Sequence, residues 1–226
     1  LNAASNRIAG ACLALLLVAC QSNPPRMSGA VHWYRNSAEM KAVFEQTFAL
    51  AARELGVRSQ GRPRGSWAVI VDVDETLLDN SGYVVEFGHY TPETWDLWTA
   101  RRSAPALPGA VRFTRTVREQ LGGVVVLVTN REQKACADTE ENLRRVGIVY
   151  DRILCRTGTA DKNPRFHAVE TGEGGQRPLA VLMWVGDSIE DFPGMSQQQY
   201  QLGEFGTRFF VLPNPSYGSW EDLPRR

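Results

Sequence analysis

The sequence predicts an α/β protein: a Rossmann-like parallel sheet with helices on both faces, and a small aromatic-rich helical cap inserted after the first strand. Three observations predict it. Four short apolar runs, "WAVIVDV" (67–73), "GVVVLVT" (123–129), "AVLMWVG" (180–186) and "RFFVLP" (208–213), read as strands buried on both faces. Helical patterns lie between strands, and strands alternating with helices imply parallel crossovers. The chain of 226 residues, 43% hydrophobic, suits one such core with a small elaboration.

In chain order, the first feature is one basic residue, Arg7, then an apolar run over 8–19, then Cys20 and a polar stretch containing proline. That run is too short for a membrane span and suits a signal peptide. "LVAC" (17–20) resembles a bacterial lipobox. The resemblance implies removal of residues 1–19, acylation of Cys20 and membrane anchoring through it, each buried methylene contributing about 0.8 kcal/mol. Gln21 after the cysteine implies the outer membrane of a Gram-negative cell, with the remaining chain outside the cytoplasm. The competing reading is an ordinary cleaved signal peptide with an unmodified cysteine. Residues 20–30 form a flexible tether, and 31–226 the folded domain.

Apolar residues at helical spacing from Met40 to Leu55 predict an amphipathic helix over 36–55, with Asn36 as N-cap and Glu39 three residues on. "GRPRGS" (61–66) is a connector into the first strand. Segment 76–107 fits no strand–helix unit and carries Tyr83, Phe87, His89, Tyr90, Trp95 and Trp98; it reads as the cap, with a helix from about Pro92 to Arg101. Helices follow over 108–122, closing on Gly122, and 131–147, closing on Gly147, with a weaker strand over 148–155. Cys136 and Cys155 fall at the same edge of such a sheet, so a bridge is geometrically open to them, and two buried free thiols are the other reading.

Lys+Arg and Asp+Glu both number 25, so the chain carries no overall charge that would attract a nucleic-acid polymer. Any anionic ligand must be held locally. Asp72 and Asp74, two apart on a strand, project to the same side at its end. Carboxylates so placed repel unless a cation sits between them or one keeps a proton. "VGDSIEDF" adds Asp187 and Asp191 at i, i+4 after another strand, on one face of a helix if one begins there. If the two strands are neighbours, four carboxylates converge, and an all-oxygen set of that charge implies a hard cation, most simply Mg²⁺. "VTNR" brings Thr129, Asn130 and Arg131 to a strand-to-helix junction, and "DKNPRF" supplies Lys162, a point charge suited to phosphoryl oxygens.

The order D-x-D-x-T, then threonine at a strand end, then lysine, then G-D-x-x-x-D resembles the haloacid dehalogenase superfamily of phosphohydrolases. More finely, "VDVDETLLDNSGY", "VTNR", "GDSIEDF" and "LPNPSYGSWE" resemble the bacterial class C nonspecific acid phosphatases, which are surface lipoproteins. Ser188 departs from the asparagine of that family. The resemblance implies a Mg²⁺-dependent phosphomonoesterase with Asp72 as nucleophile and Asp74 as general acid and base. It further implies a metal site from Asp72, Asp74 through its carbonyl, Asp187 and Asp191, with Thr129 and Lys162 holding the phosphoryl oxygens beside Asn130 and Arg131. It favours 5'-nucleotides and aryl phosphates as substrates. Phe87, His89, Trp95 and Tyr217 could stack the substrate's ring, while Trp95 and Trp98 read equally well as core residues of the cap. The alternative from another class is a surface lipoprotein that binds a ligand or host component on the same fold. No oligomeric state follows from these residues.

Overall fold

The computed structural model describes residues 27–224; the expected leader segment and Cys20 lie outside the described residues. Helix α1 (Gly29–Asn36) begins inside the stretch expected as tether, and α2 (Ala38–Arg58) follows at once. The predicted cap at Asn36 moves one residue on. Ser37 has extended backbone and its hydroxyl accepts from the Met40 N–H, while the Asn36 amide bonds back to the His32 carbonyl. The helix expected over 36–55 is α2, and α1 is an additional helix that precedes it across Ser37.

Five parallel strands form the sheet in the order β3-β2-β1-β4-β5: β1 (Trp67–Val71), β2 (Val124–Glu132), β3 (Arg152–Arg156), β4 (Ala180–Gly186) and β5 (Phe209–Val211). Helices α3 (Ser81–Phe87) and α4 (Pro92–Arg101) lie in the insertion after β1, α4 with the bounds expected. Helix α5 (Ala110–Arg115) runs into a π-helical turn (Thr116–Leu121), α6 (Cys136–Arg145) links β2 to β3, and α7 (Asn163–Thr171) links β3 to β4. Sequence reading did not mark α7, although Pro164 in its first turn and Gly172 at its end are ordinary helix punctuation. The weaker strand lies later than expected, over 152–156, and β2 runs past Thr129 to Glu132.

The central strand divides the core by its period of two. Trp67, Val69 and Val71 face Phe44, Phe48 and Leu55 of α2 and Phe113 of α5, whereas Ala68 and Ile70 face Phe166 and Val169 of α7. All five β1 residues are buried, which accounts for their unbroken apolar run. Strand order reverses at β1, where one crossover runs to β2 and a later one returns to β4, so the crevice beyond the ends of β1 and β4 is the ligand-binding position of such sheets. Cys136 and Cys155 form a disulfide that ties the start of α6 to β3. Among the described residues no helix is long and apolar enough to cross a membrane.

Candidate active site

Asp72 leaves β1 with its N–H still bonded to the Val185 carbonyl of β4 (2.9 Å), so the sheet itself aims this residue into the crevice. Lys162, at the start of α7, places Nζ 2.5 Å from Asp72 Oδ1 and 2.5 Å from Asp191 Oδ1. All three side chains are buried. Carboxylate oxygens of Asp72, Asp187 and Asp191 lie within 4.8 Å of one another.

Asp191 reaches this cluster by folding back rather than along a helix face. Residues 189–191 make a single 3-10 turn, and Asp191 Oδ2 accepts from the N–H groups of Asp187 (3.0 Å) and Ser188 (2.9 Å). Gly186 permits it, since a Cβ there would lie 2.2 Å from Asp191 Oδ2. The expected i, i+4 helical pair is thus a tight turn closed by a glycine. Ser188 caps the turn, its hydroxyl accepting from the Glu190 N–H. Asp187 is steadied by the Thr76 hydroxyl (3.2 Å) and the Asn214 amide (2.9 Å), which brings the segment after β5 to the site.

Three carboxylates converge here, not four. The Asp74 side chain turns to Arg131, whose Nη2 donates to Oδ1 at 2.7 Å and whose Nε contacts both oxygens, and to Asn80 Nδ2 (2.8 Å). The Asp74 side chain is therefore engaged away from the three-carboxylate cluster. That engagement also corrects the placement of Arg131: the guanidinium is buried and spends its donors on Asp74, Asn80 and Thr139. Thr129 is buried, its hydroxyl accepting from the Arg131 N–H, and Asn130 is exposed. Arg165, which sequence reading missed, lies one turn beyond Lys162 and donates to the Thr129 carbonyl (2.5 Å) and Asn130 Oδ1 (2.6 Å). It joins the loop after β2 to the lysine-bearing helix.

Electrostatics identify what the cluster takes. Burial pushes Asp72 up to about 7 against the downward pull of Lys162, and raises Asp187 well above the carboxylate range with help from Asp191 and Asp72. Burial alone would lower Lys162, but Asp191 and Asp72 outweigh it and hold the ammonium charged. With all three carboxylates deprotonated, as a bound cation requires, the cluster and its one ammonium would carry two surplus negative charges. An all-oxygen set with two surplus negative charges fits a hard divalent cation.

Cap aromatics pack mainly on one another. The Tyr83 ring lies 5.1 Å from Phe87, 5.0 Å from Trp95 and 6.1 Å from Trp98, and the Arg131 guanidinium sits 5.4 Å from the Trp95 ring. His89 and Tyr90 are exposed, and Tyr217 is half-buried in the segment that carries Asn214. Among the described residues no ring pairing joins Tyr217 to Phe87 or Trp95. A small cleft runs beside Asn130 between Tyr90, Trp95 and Lys134.

The sequence matches the family described as HAD superfamily, subfamily IIIB (acid phosphatase), over residues 17–220. It is 30% identical over 161 residues to acid phosphatase 1 of Solanum lycopersicum and 26% identical over 159 residues to vegetative storage protein 1 of Arabidopsis thaliana, in each case over 66% of this chain. The matched regions span 57% and 54% of those two relatives. Among solved structures, the class C acid phosphatase of Bacillus anthracis superposes with a TM-score of 0.74 at 29% identity, covering 85% of each chain, and a second structure of it has tungstate bound.

Proposed function

The chain belongs to the acid phosphatases of HAD subfamily IIIB, and from that premise we propose that it hydrolyses phosphomonoesters through an aspartyl-phosphate on Asp72, with a divalent cation, most simply Mg²⁺. The observation that carries this reading is Lys162 bridging Asp72 and Asp191 beside Asp187, at the crevice beyond β1 and β4. Asp72, Asp187 and Asp191 would hold the cation, with the Asp74 carbonyl; when bound, it offsets the repulsion between an anionic phosphate and the carboxylates.

An Asp72 oxygen attacks phosphorus as the bond from phosphorus to the ester oxygen breaks, and Asp74 passes its proton to the departing oxygen. Water then attacks the phosphorus of the aspartyl-phosphate, Asp74 takes the water's proton, and phosphate leaves with Asp72 restored. Lys162 and the Thr129 hydroxyl would hold phosphoryl oxygens, as the family resemblance implies.

The family resemblance supports 5'-nucleotides and aryl phosphates as substrates, with the ring meeting the exposed rim of the cap rather than its packed interior. "LVAC" supports acylation of Cys20 and attachment to the bacterial envelope, which Cys20→Ser tests through release of the protein from membranes. The decisive experiment is hydrolysis of p-nitrophenyl phosphate and a nucleotide panel, with and without EDTA, by wild type and Asp72→Asn. Activity lost to both, with radiolabelled phosphate trapped on wild type by acid quench, is the expected result. Activity surviving both would overturn the mechanism, whereas wild-type protein inactive on every ester would leave the ligand-binding reading in its place.

A further inference from the structure

We infer that Asn80, Trp98 and Arg131 form one positioning assembly that aims the Asp74 carboxyl at the leaving-group oxygen, so that the cap insertion acts on the chemical step through hydrogen bonds. The inference rests on the reading of Asp74 as general acid. Its basis is the complete use of the Asn80 amide. Asn80 is fully buried, with Nδ2 donating to Asp74 Oδ1 (2.8 Å) and Glu75 Oε2 (3.3 Å), and Oδ1 accepting from Trp98 Nε1 (2.8 Å) and Arg131 Nη2 (3.2 Å). The indole and guanidinium can only donate, so the amide cannot turn over without losing those bonds. Each of its two hydrogens and each contact to its oxygen therefore reports one orientation, the one that offers an N–H to Asp74.

Arg131 closes the other side. Its Nε and Nη2 hold Asp74, its Nη1 donates to Thr139 of α6 (3.1 Å), and the Trp95 ring of α4 lies 5.4 Å from its guanidinium carbon. Asp74 Oδ1 takes three of these contacts and Oδ2 only the longer one from Arg131 Nε (3.2 Å), which leaves Oδ2 the less engaged oxygen for proton transfer. The backbone is shaped to the same end. Glu75 sits at φ 53, in the left-handed region unfavourable to a non-glycine residue, and its Oε1 accepts from the Asn80 N–H (2.7 Å), folding the turn so that Asn80 returns over Asp74. Gly82 makes room for the indole, since a Cβ there would lie 2.7 Å from Trp98 Cη2.

A purely structural link between cap and core would lower activity on every substrate alike, whereas a misaimed acid is felt most where the leaving group needs a proton. The test compares kcat/KM, which reports steps up to the first irreversible one, for phosphomonoesters from p-nitrophenyl phosphate to a primary alkyl phosphate, at fixed pH in Mg²⁺. Trp98→Phe keeps a ring in the cap and removes the Nε1 donor; Asn80→Ala removes the amide; Asp74→Asn is the reference. General acid assistance is worth roughly 10²–10⁴-fold. Trp98→Phe is expected to lose about tenfold more on the alkyl ester than on the nitrophenyl ester, and Asn80→Ala more again, approaching the steepness of Asp74→Asn. If Asp74→Asn is steep while Trp98→Phe loses equally on all esters, the positioning inference fails and the acid assignment stands. If Asp74→Asn itself loses equally on all esters, the acid assignment fails and takes the inference with it. Should Asn80→Ala not fold by circular dichroism, the conservative Trp98→Phe decides the matter.

Discussion

Lys162 lies between Asp72 and Asp191, its Nζ 2.5 Å from an oxygen of each, although the first partner is 90 residues away in sequence. One ammonium therefore neutralises part of a carboxylate cluster that no short stretch of chain contains. Replacing it removes the partner of two buried acids at once.

Lys162→Met is expected to lose at least 100-fold in phosphatase activity and, in the metal-free protein at pH 7, about 3–5 kcal/mol of stability, the usual cost of breaking a buried ion pair from one side. Urea unfolding in EDTA measures the second. The loss shrinks toward pH 4, where protonated carboxyls no longer need the lysine. A stability change within 1 kcal/mol at pH 7 would contradict the role given to this residue.

The raised acids set a pH dependence with a definite sign. In the unfolded chain Asp72 ionises at its ordinary 3.8, whereas in the fold burial holds its proton up to about 7, and Asp187 is shifted the same way. Between those values the folded state binds more protons than the unfolded state, so metal-free protein loses stability as pH rises from about 4 to 7. Lys162 adds no slope there, because its folded value is raised and its contribution is complete below the ordinary lysine range. Since a cation needs the carboxylates deprotonated, Mg²⁺ is expected to raise Tm more at pH 7.5 than at pH 5. Thermal unfolding with EDTA or Mg²⁺ across this range checks both slopes.

Gly186→Ala brings a methyl group to 2.2 Å from Asp191 Oδ2, and the carboxylate must leave the two N–H groups that hold it. The expected result is at least a tenfold weaker Mg²⁺ dependence constant and about 1–3 kcal/mol lost by overpacking. Activity titrated against Mg²⁺ gives the first number. Unaltered metal dependence would mean that Asp191 has no part in holding the cation.

The disulfide between Cys136 and Cys155 closes a loop with a sequence separation of 19, for which chain-entropy arguments give about 3 kcal/mol. Cys136→Ser with Cys155→Ser is expected to lower stability by about that amount, and the intact mass of the wild type under non-reducing conditions is expected to be about 2 Da below that of the fully reduced protein. Two free thiols in the oxidised preparation would refute the bridge.

What the sequence by itself determined follows from local periodicity. Unbroken apolar runs mark β1 and β4 because both of their faces are covered, and an acid directly after such a run must emerge at the sheet's end, so Asp72 and Asp187 were legible. Pro92 with a helical pattern placed α4 for the same local reason. Boundaries that rest on a single side chain were not legible: Ser37 and Asn36 are both good caps, and only the fold decides which one has extended backbone. Tertiary structure alone decided the partners. Arg131 reads as a phosphate ligand until the cap and α6 place it against Asp74, and Trp98 reads as core until its N–H is seen on Asn80. Asn214 and Arg165 lie within quoted motifs, yet nothing local names their partners, because their contacts to Asp187 and the Thr129 carbonyl depend on where β5 and α7 lie in the strand order. Periodicity reports which face of an element is buried; which charges meet there is set by how the crossovers stack the elements, and that is a property of the whole chain.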